Sequence, residues 1–101
     1  MVGFEILIEI NPTKRTEFVQ AFEMINSNGS HKAGRSEIAL FEHVNCSNIF
    51  LWTEYWPTHE SLKQYFQSNT YRMMVGAIKV LGKIVHKRVY RLQKERDHAK
   101  I

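Results

Sequence analysis

Phe4, Ile6, Ile8 and Ile10 alternate with polar or less bulky residues at the head of the chain, which predicts a strand over Val2 to Ile10 with one strongly apolar face. Asn11-Pro12 stops it. The asparagine can cap a following helix, and proline at the first helical position sacrifices no hydrogen bond. Phe18, Ala21, Phe22 and Ile25 recur at helical spacing and predict a helix from about Pro12 to Asn26, ended by Asn28-Gly29. Ser30 to Arg35, with Gly34, is polar and reads as a loop. Two β-rich runs follow, Ser36 to Val44 and Ile49 to Trp56, joined by Asn45-Cys46-Ser47-Asn48, which has the length and residue types of a hairpin turn. Pro57-Thr58 opens a helical segment with Leu62, Tyr65 and Phe66 on one face, and Ser68-Asn69 interrupts it. From Thr70 the positions Met73, Met74, Ala77, Ile78 and Leu81 follow helical periodicity up to Gly82, a natural helix end. Ile84 to Leu92 alternates poorly but is rich in β-formers and predicts a last strand.

The run Ile49 to Trp56 is apolar on both faces, with Phe50, Trp52 and Trp56 on one and Ile49, Leu51 and Tyr55 on the other. A strand apolar on both sides must be covered on both. One layer of helices covers a single face, so the pattern predicts that a second copy of the chain buries the other. The order strand, helix, strand, strand, helix, strand gives an α+β, ferredoxin-like βαββαβ fold: a four-stranded antiparallel sheet with helices on one face. Residues 1–92 form this domain and residues 93–101 a charged tail.

Composition narrows the picture. The chain has 101 residues, 44% hydrophobic and 24% charged, as expected of an ordinary globular domain, and no apolar run approaches the ~18 residues that cross a bilayer. The first residues lack the basic start and long apolar stretch of a secretion signal, so a cytoplasmic protein is expected. The single cysteine, Cys46, has no second thiol to pair with, and no His/Cys spacing suits a metal. The net charge of +4 is uneven: Lys79 to Ile101 carries eight basic and two acidic residues, and the first 78 carry six and eight. A solvated last strand and tail explains this strip. Nucleic-acid binding is not expected, because the strand Ile49 to Trp56 has aromatics without the glycine and basic residue of an RNA-recognition motif.

The residues Glu54-x-Trp56, followed by Leu62-x-x-Tyr65 and Ser68, resemble the antibiotic biosynthesis monooxygenase family of dimeric α+β barrels, and the likeness runs from Phe4 to Leu92. The resemblance implies a homodimer whose sheets close a barrel, a pocket between sheet and helices in each subunit, and no cofactor. It implies a monooxygenase acting on a small aromatic quinol or phenol, or alternatively a non-catalytic dimeric module of the same fold that binds a small ligand or is structural. Many quinol-oxidising relatives carry a histidine where this chain has Tyr65. Haem-degrading relatives place an iron-ligating histidine where this chain has Val75, which cannot bind iron, so haem degradation is disfavoured.

Cofactor-free oxygenation needs a base, donors for the resulting oxyanion and a dry apolar pocket. His43 has a suitable intrinsic pKa for the base, and Tyr65 offers a phenol to hold a ligand oxygen; these two are the catalytic candidates. Trp56 can wall a flat ligand, Glu54 can accept a proton or a hydrogen bond, and Tyr71 and Arg72 can hold a hydroxyl or an anion, which makes these four the substrate-binding candidates. Each has an ordinary alternative: a surface histidine, an ion-paired glutamate, core tryptophan, an exposed helix arginine. His59 and His86 are weaker candidates, and His31 and His98 lie in a loop and the tail.

Overall fold

The computed structural model describes residues 1–29, 34, 35 and 37–93. The loop positions 30–33 and 36 and the charged tail from 94 onward lie outside the described residues. The elements are β1 (Val2–Ile10), a 3-10 turn (Pro12–Lys14) running into α1 (Arg15–Gly29), β2 (Glu37–Glu42), β3 (Ile49–Trp56), α2 (His59–Phe66), α3 (Asn69–Leu81) and β4 (Gly82–Arg91). The four strands form one antiparallel sheet in the order β2-β3-β1-β4. This is the predicted ferredoxin-like α+β fold.

Local chemistry sets the boundaries. The Asn11 side chain accepts from the Thr13 amide, so the chain turns through a tight 3-10 start before α1, which extends three residues beyond the predicted Asn26. The Thr58 side chain accepts from the Ser61 amide and Ser61 answers to the Thr58 amide, a reciprocal cap that starts α2. Ser68 breaks α2 from α3: its hydroxyl donates to the Tyr65 carbonyl at 2.6 Å and accepts from the Tyr71 amide at 3.2 Å. α3 passes into β4 without a loop. A side chain at Gly82 would collide with the Glu9 carbonyl of the neighbouring strand, so only glycine lets the chain turn back onto β1 that closely.

Register decides what faces the helices. Phe4 pairs with Glu54, Ile6 with Trp52 and Ile8 with Phe50, and β1 side chains at these positions are 0–1% exposed. Phe18 and Phe22 of α1 close over Phe50 and Trp52, with ring centroids 4.9 Å and 5.0 Å apart respectively. Leu62 and Tyr65 from α2 and Met74 and Ile78 from α3 complete the core. Among the described residues no helix covers the opposite sheet face, which carries Leu7, Ile49, Leu51 and Tyr55, all half-buried, the exposed Phe41, and Glu5 paired with Arg88. β4 carries one extra residue opposite Leu7–Ile8, a bulge that leaves Lys87 beside Ile6 on the helix-covered face.

Candidate functional site

Alternation along β3 puts Phe50, Trp52, Glu54 and Trp56 on one side, so a carboxyl group stands between two indoles in the middle of an apolar core. Glu54 is 0% exposed. Its Oε2 accepts from Trp52 Nε1 at 2.8 Å and from the Tyr65 hydroxyl at 3.1 Å, and its Oε1 accepts from Trp56 Nε1 at 3.0 Å. An indole N–H can only donate, so both oxygens are committed as acceptors. Burial pushes the Glu54 pKa up, while the charge of Arg35 and the three donors oppose that rise. Burial likewise raises the pKa of Tyr65, reinforced by the Glu54 charge, which keeps its phenol a neutral donor.

Arg35 is the residue that sequence reasoning missed. It reads as a solvated loop arginine, yet it is 3% exposed, with Nη1 3.7 Å from Glu54 Oε1. Its guanidinium lies 5.8 Å from the Trp56 ring centroid and 5.5 Å from that of Tyr65, within cation–π range. Among the described residues, none of its three nitrogens has a hydrogen-bond acceptor.

From Arg35 an aromatic row crosses the sheet. Trp56 and Tyr65 lie 4.6 Å apart, Tyr65 and Tyr71 5.3 Å, and Phe66 stands 4.9 Å from both Tyr71 and Phe4. The row ends in a cleft of about 350 Å³ between the helices and β4, lined by Phe4, Phe66, Tyr71, Lys87, Arg88 and Val89. Lys87 donates to the Tyr71 hydroxyl at 3.3 Å and sits 5.9 Å from its ring centroid. The row thus has a cation at each end: a buried guanidinium and an accessible ammonium. Lys87 too was not foreseen, because the poor alternation of β4 conceals which of its side chains face inward.

Of the predicted residues, the structure brings together Glu54, Trp56, Tyr65 and Tyr71. Arg72 stands outside; it is exposed and donates to Asn69 Oδ1 at 3.3 Å within its own helix. His43 is not on β2 but one residue past its end, exposed, with Nδ1 accepting from the Asn45 amide at 3.0 Å. Its backbone pairs with Ile49, at the opposite end of β3 from Glu54 and Trp56, so it borders a separate hollow on the open face with Leu7, Phe41 and Leu51. Val75 packs at the margin of the core. Among the described residues no three His, Cys, Asp or Glu side chains gather as metal ligands would. No described helix is long and apolar enough to cross a membrane.

No protein-family model matches the chain, and a search of the curated proteins gives no match. Solved structures share its fold. A protein from Deinococcus radiodurans, named provisionally an antibiotic biosynthesis monooxygenase, superposes with a TM-score of 0.81 at 16% identity, over 93% of this chain and 94% of that one. A variant of SnoaB, a cofactor-independent oxygenase from Streptomyces nogalater, superposes with a TM-score of 0.78 at 13% identity, over 92% and 93%. A conserved protein from Methanosarcina mazei gives 0.79 at 15% identity, over 91% and 92%.

Proposed function

We propose that this protein is a member of the antibiotic biosynthesis monooxygenase family, working as a cytoplasmic homodimer that oxygenates a small aromatic quinol or phenol without a cofactor. The observation that carries this reading is the aromatic row opening into a cleft with Tyr71 and Lys87 at its mouth. Phe4, Phe66 and Tyr71 offer faces for a flat ring, and the Tyr71–Lys87 pair offers donors to one of its oxygens. Fold likeness to a cofactor-independent oxygenase supports the reaction class. In that reaction a ring carbon of the substrate's keto form loses two hydrogens and gains one oxygen atom, and the second oxygen leaves as water. Electrons come from the substrate itself, so the protein's task is to bind, deprotonate and exclude water. The half-buried Leu7, Ile49, Leu51 and Tyr55 support the dimer, as a surface that a second sheet would cover.

Oxygen uptake by metal-free protein over a panel of quinols and polycyclic phenols tests this reading. Saturable uptake that falls in Tyr71→Phe and Lys87→Met variants is the expected result. Uptake equal to the uncatalysed rate for every panel member would leave a ligand-binding module of this fold.

A further inference from the structure

We infer that Tyr71 and Tyr65 form a hole-transfer row, which draws a one-electron oxidising equivalent out of the cleft and holds it on Tyr65 while Glu54 Oε2 takes the phenolic proton. The oxidant it fits is a peroxyl radical, the class formed when a carbon radical in the cleft adds dioxygen. The inference goes beyond the oxygenase reading: it concerns the fate of a radical and needs no turnover of a quinol.

Electron tunnelling falls off steeply with distance, and tyrosine and tryptophan are the aromatic side chains that give up one electron most easily. The Tyr71 and Tyr65 ring centroids are 5.3 Å apart, and Tyr71 lines the cleft. Phe4 and Phe66 share that wall but are far harder to oxidise, so Tyr71 is the point of entry. An oxidised phenol is a strong acid, and it forms readily where a base is already hydrogen-bonded to it. The Tyr65 hydroxyl donates to Glu54 Oε2 at 3.1 Å. It also approaches Met74 Sδ at 3.5 Å, but a thioether is a weak acceptor and does not take the proton. Burial keeps the Tyr65 phenol protonated at rest, so electron and proton must leave together, and burial raises the proton affinity of the receiving carboxyl. Trp56 lies further in, 4.6 Å from Tyr65, and also bonds Glu54. One carboxylate takes one proton, and a phenol that gives it up is oxidised more easily than an indole, so the hole rests on Tyr65.

Atoms and electrons balance. A peroxyl radical takes the hydroxyl hydrogen atom of Tyr71 and leaves as a hydroperoxide: one O–H bond breaks on Tyr71 and one forms on the peroxyl oxygen. The Tyr71 radical then receives one electron from Tyr65 through the rings and one proton from Lys87, whose ammonium donates to the Tyr71 hydroxyl at 3.3 Å. Tyr65 loses that electron and passes its proton to Glu54 Oε2, becoming a neutral radical beside a neutral acid. Lys87 is exposed and regains its proton from water. The net change turns one peroxyl radical, the Tyr65 phenol, the Glu54 carboxylate and one proton from water into a hydroperoxide, the Tyr65 radical and the Glu54 acid. Arg35 loses its counter-charge in that state, so the equivalent is held briefly and returned to an external reductant such as a thiol.

Flash-generated ruthenium(III) tris(bipyridine), a one-electron oxidant that stays in solution, is the probe; radicals are trapped by rapid freezing and read by electron paramagnetic resonance. A chain with a ring-fluorinated tyrosine in place of Tyr65 keeps the ring and adds fluorine splitting to a radical at that position alone. The expected result is a tyrosyl signal bearing this splitting, which rises more slowly in heavy water because the proton moves with the electron. Tyr65→Phe should lose the signal, and Tyr71→Phe in the fluorinated chain should lose it at early delays because the entry point is gone. Thermal midpoints and tryptophan fluorescence confirm that the variants are folded, and the fluorinated chain gives its answer without removing a side chain. A tyrosyl signal without fluorine splitting, such as one on the half-buried Tyr55 or Tyr90, would overturn the inference. So would the absence of any tyrosyl signal, an equal rise in both solvents, or a split signal that appears as early in Tyr71→Phe. No quinol enters the test, so the two readings fail separately: oxygen uptake without a split signal removes this inference alone, and a split signal without uptake removes the oxygenase alone.

Discussion

The Tyr90 ring fills the space where a side chain at its cross-strand partner Gly3 would stand, so the open face of the sheet is built around a missing Cβ. A methyl group there would overlap the ring and its hydroxyl. Gly3→Ala is therefore expected to cost about 1–3 kcal/mol by overpacking. Denaturant unfolding checks this, and the double variant with Tyr90→Ala should recover most of the loss. Equal loss with and without Tyr90 would place the cause elsewhere.

Arg15 clamps the β2–β3 hairpin to the start of α1. Its Nε donates to Glu42 Oε2 at 3.2 Å, and the same oxygen accepts from the Asn48 amide at 3.0 Å. Those contacts hold the Glu42 carboxyl at a pKa of about 2, with the Arg15 hydrogen bond the largest cause. A carboxyl with a depressed folded pKa contributes stability above its unfolded pKa of about 4.3, and that stability is lost as pH falls through the folded value. Glu42→Gln should therefore flatten the decline of stability between about pH 4.3 and the folded value near 2, measured as the denaturation midpoint across that range. An unchanged slope would contradict the clamp.

Trp56→Phe keeps an aromatic side chain, removes one donor from Glu54 and leaves a void where the buried pyrrole ring stood. The unpaired acceptor is expected to cost about 1–3 kcal/mol near neutral pH, on top of a pH-independent packing loss from the smaller ring. The sign with pH is opposite to that of Glu42. Burial raises the folded pKa of Glu54, so its native state favours the proton, and its contribution to stability falls as pH rises through that value. With a donor to the anion removed, the penalty should grow from acid to neutral pH. A pH-independent penalty would mean that Trp56 acts through packing only.

Leu51 lies at the middle of the open face, half-buried beside Phe41 and Leu7. If a second sheet covers it, Leu51→Lys should leave the fold intact and halve the solution mass at micromolar concentration by placing a charge in that interface. Sedimentation of the wild-type chain as a monomer would remove the dimer.

Lys87 is the accessible cation of the cleft. Lys87→Met, which keeps the length and loses the charge, is expected to lower kcat/KM for a quinol that supports oxygen uptake by about tenfold to a hundredfold, less than a buried oxyanion donor costs because the ammonium is exposed. A rise in KM with kcat unchanged would show that Lys87 binds the ring oxygen equally before and during reaction.

Period-two and helical spacing are properties of neighbouring residues, and for that reason the strands, helices, caps and hairpin could be read from the chain to within a few residues. The same alternation placed Glu54 on the apolar side of β3 with Trp52 and Trp56, because residues two apart on a strand share a face whatever packs above them. What the chain alone could not decide is which polar groups lie near that carboxyl. Arg35 is in a polar stretch whose composition reads as solvated; its burial depends on Trp56 and Tyr65, 21 and 30 positions away, meeting over the sheet. Lys87 lies on the helix-covered side of the sheet, at the exposed mouth of the cleft, because a bulge in β4 shifts its register on β1. His43 and Arg72 have chemistry suited to the site, but the hairpin and the outward face of α3 carry them away from it. Local pattern determined the elements and the face on which the carboxyl lies; long-range register and loop packing decided which charges meet it.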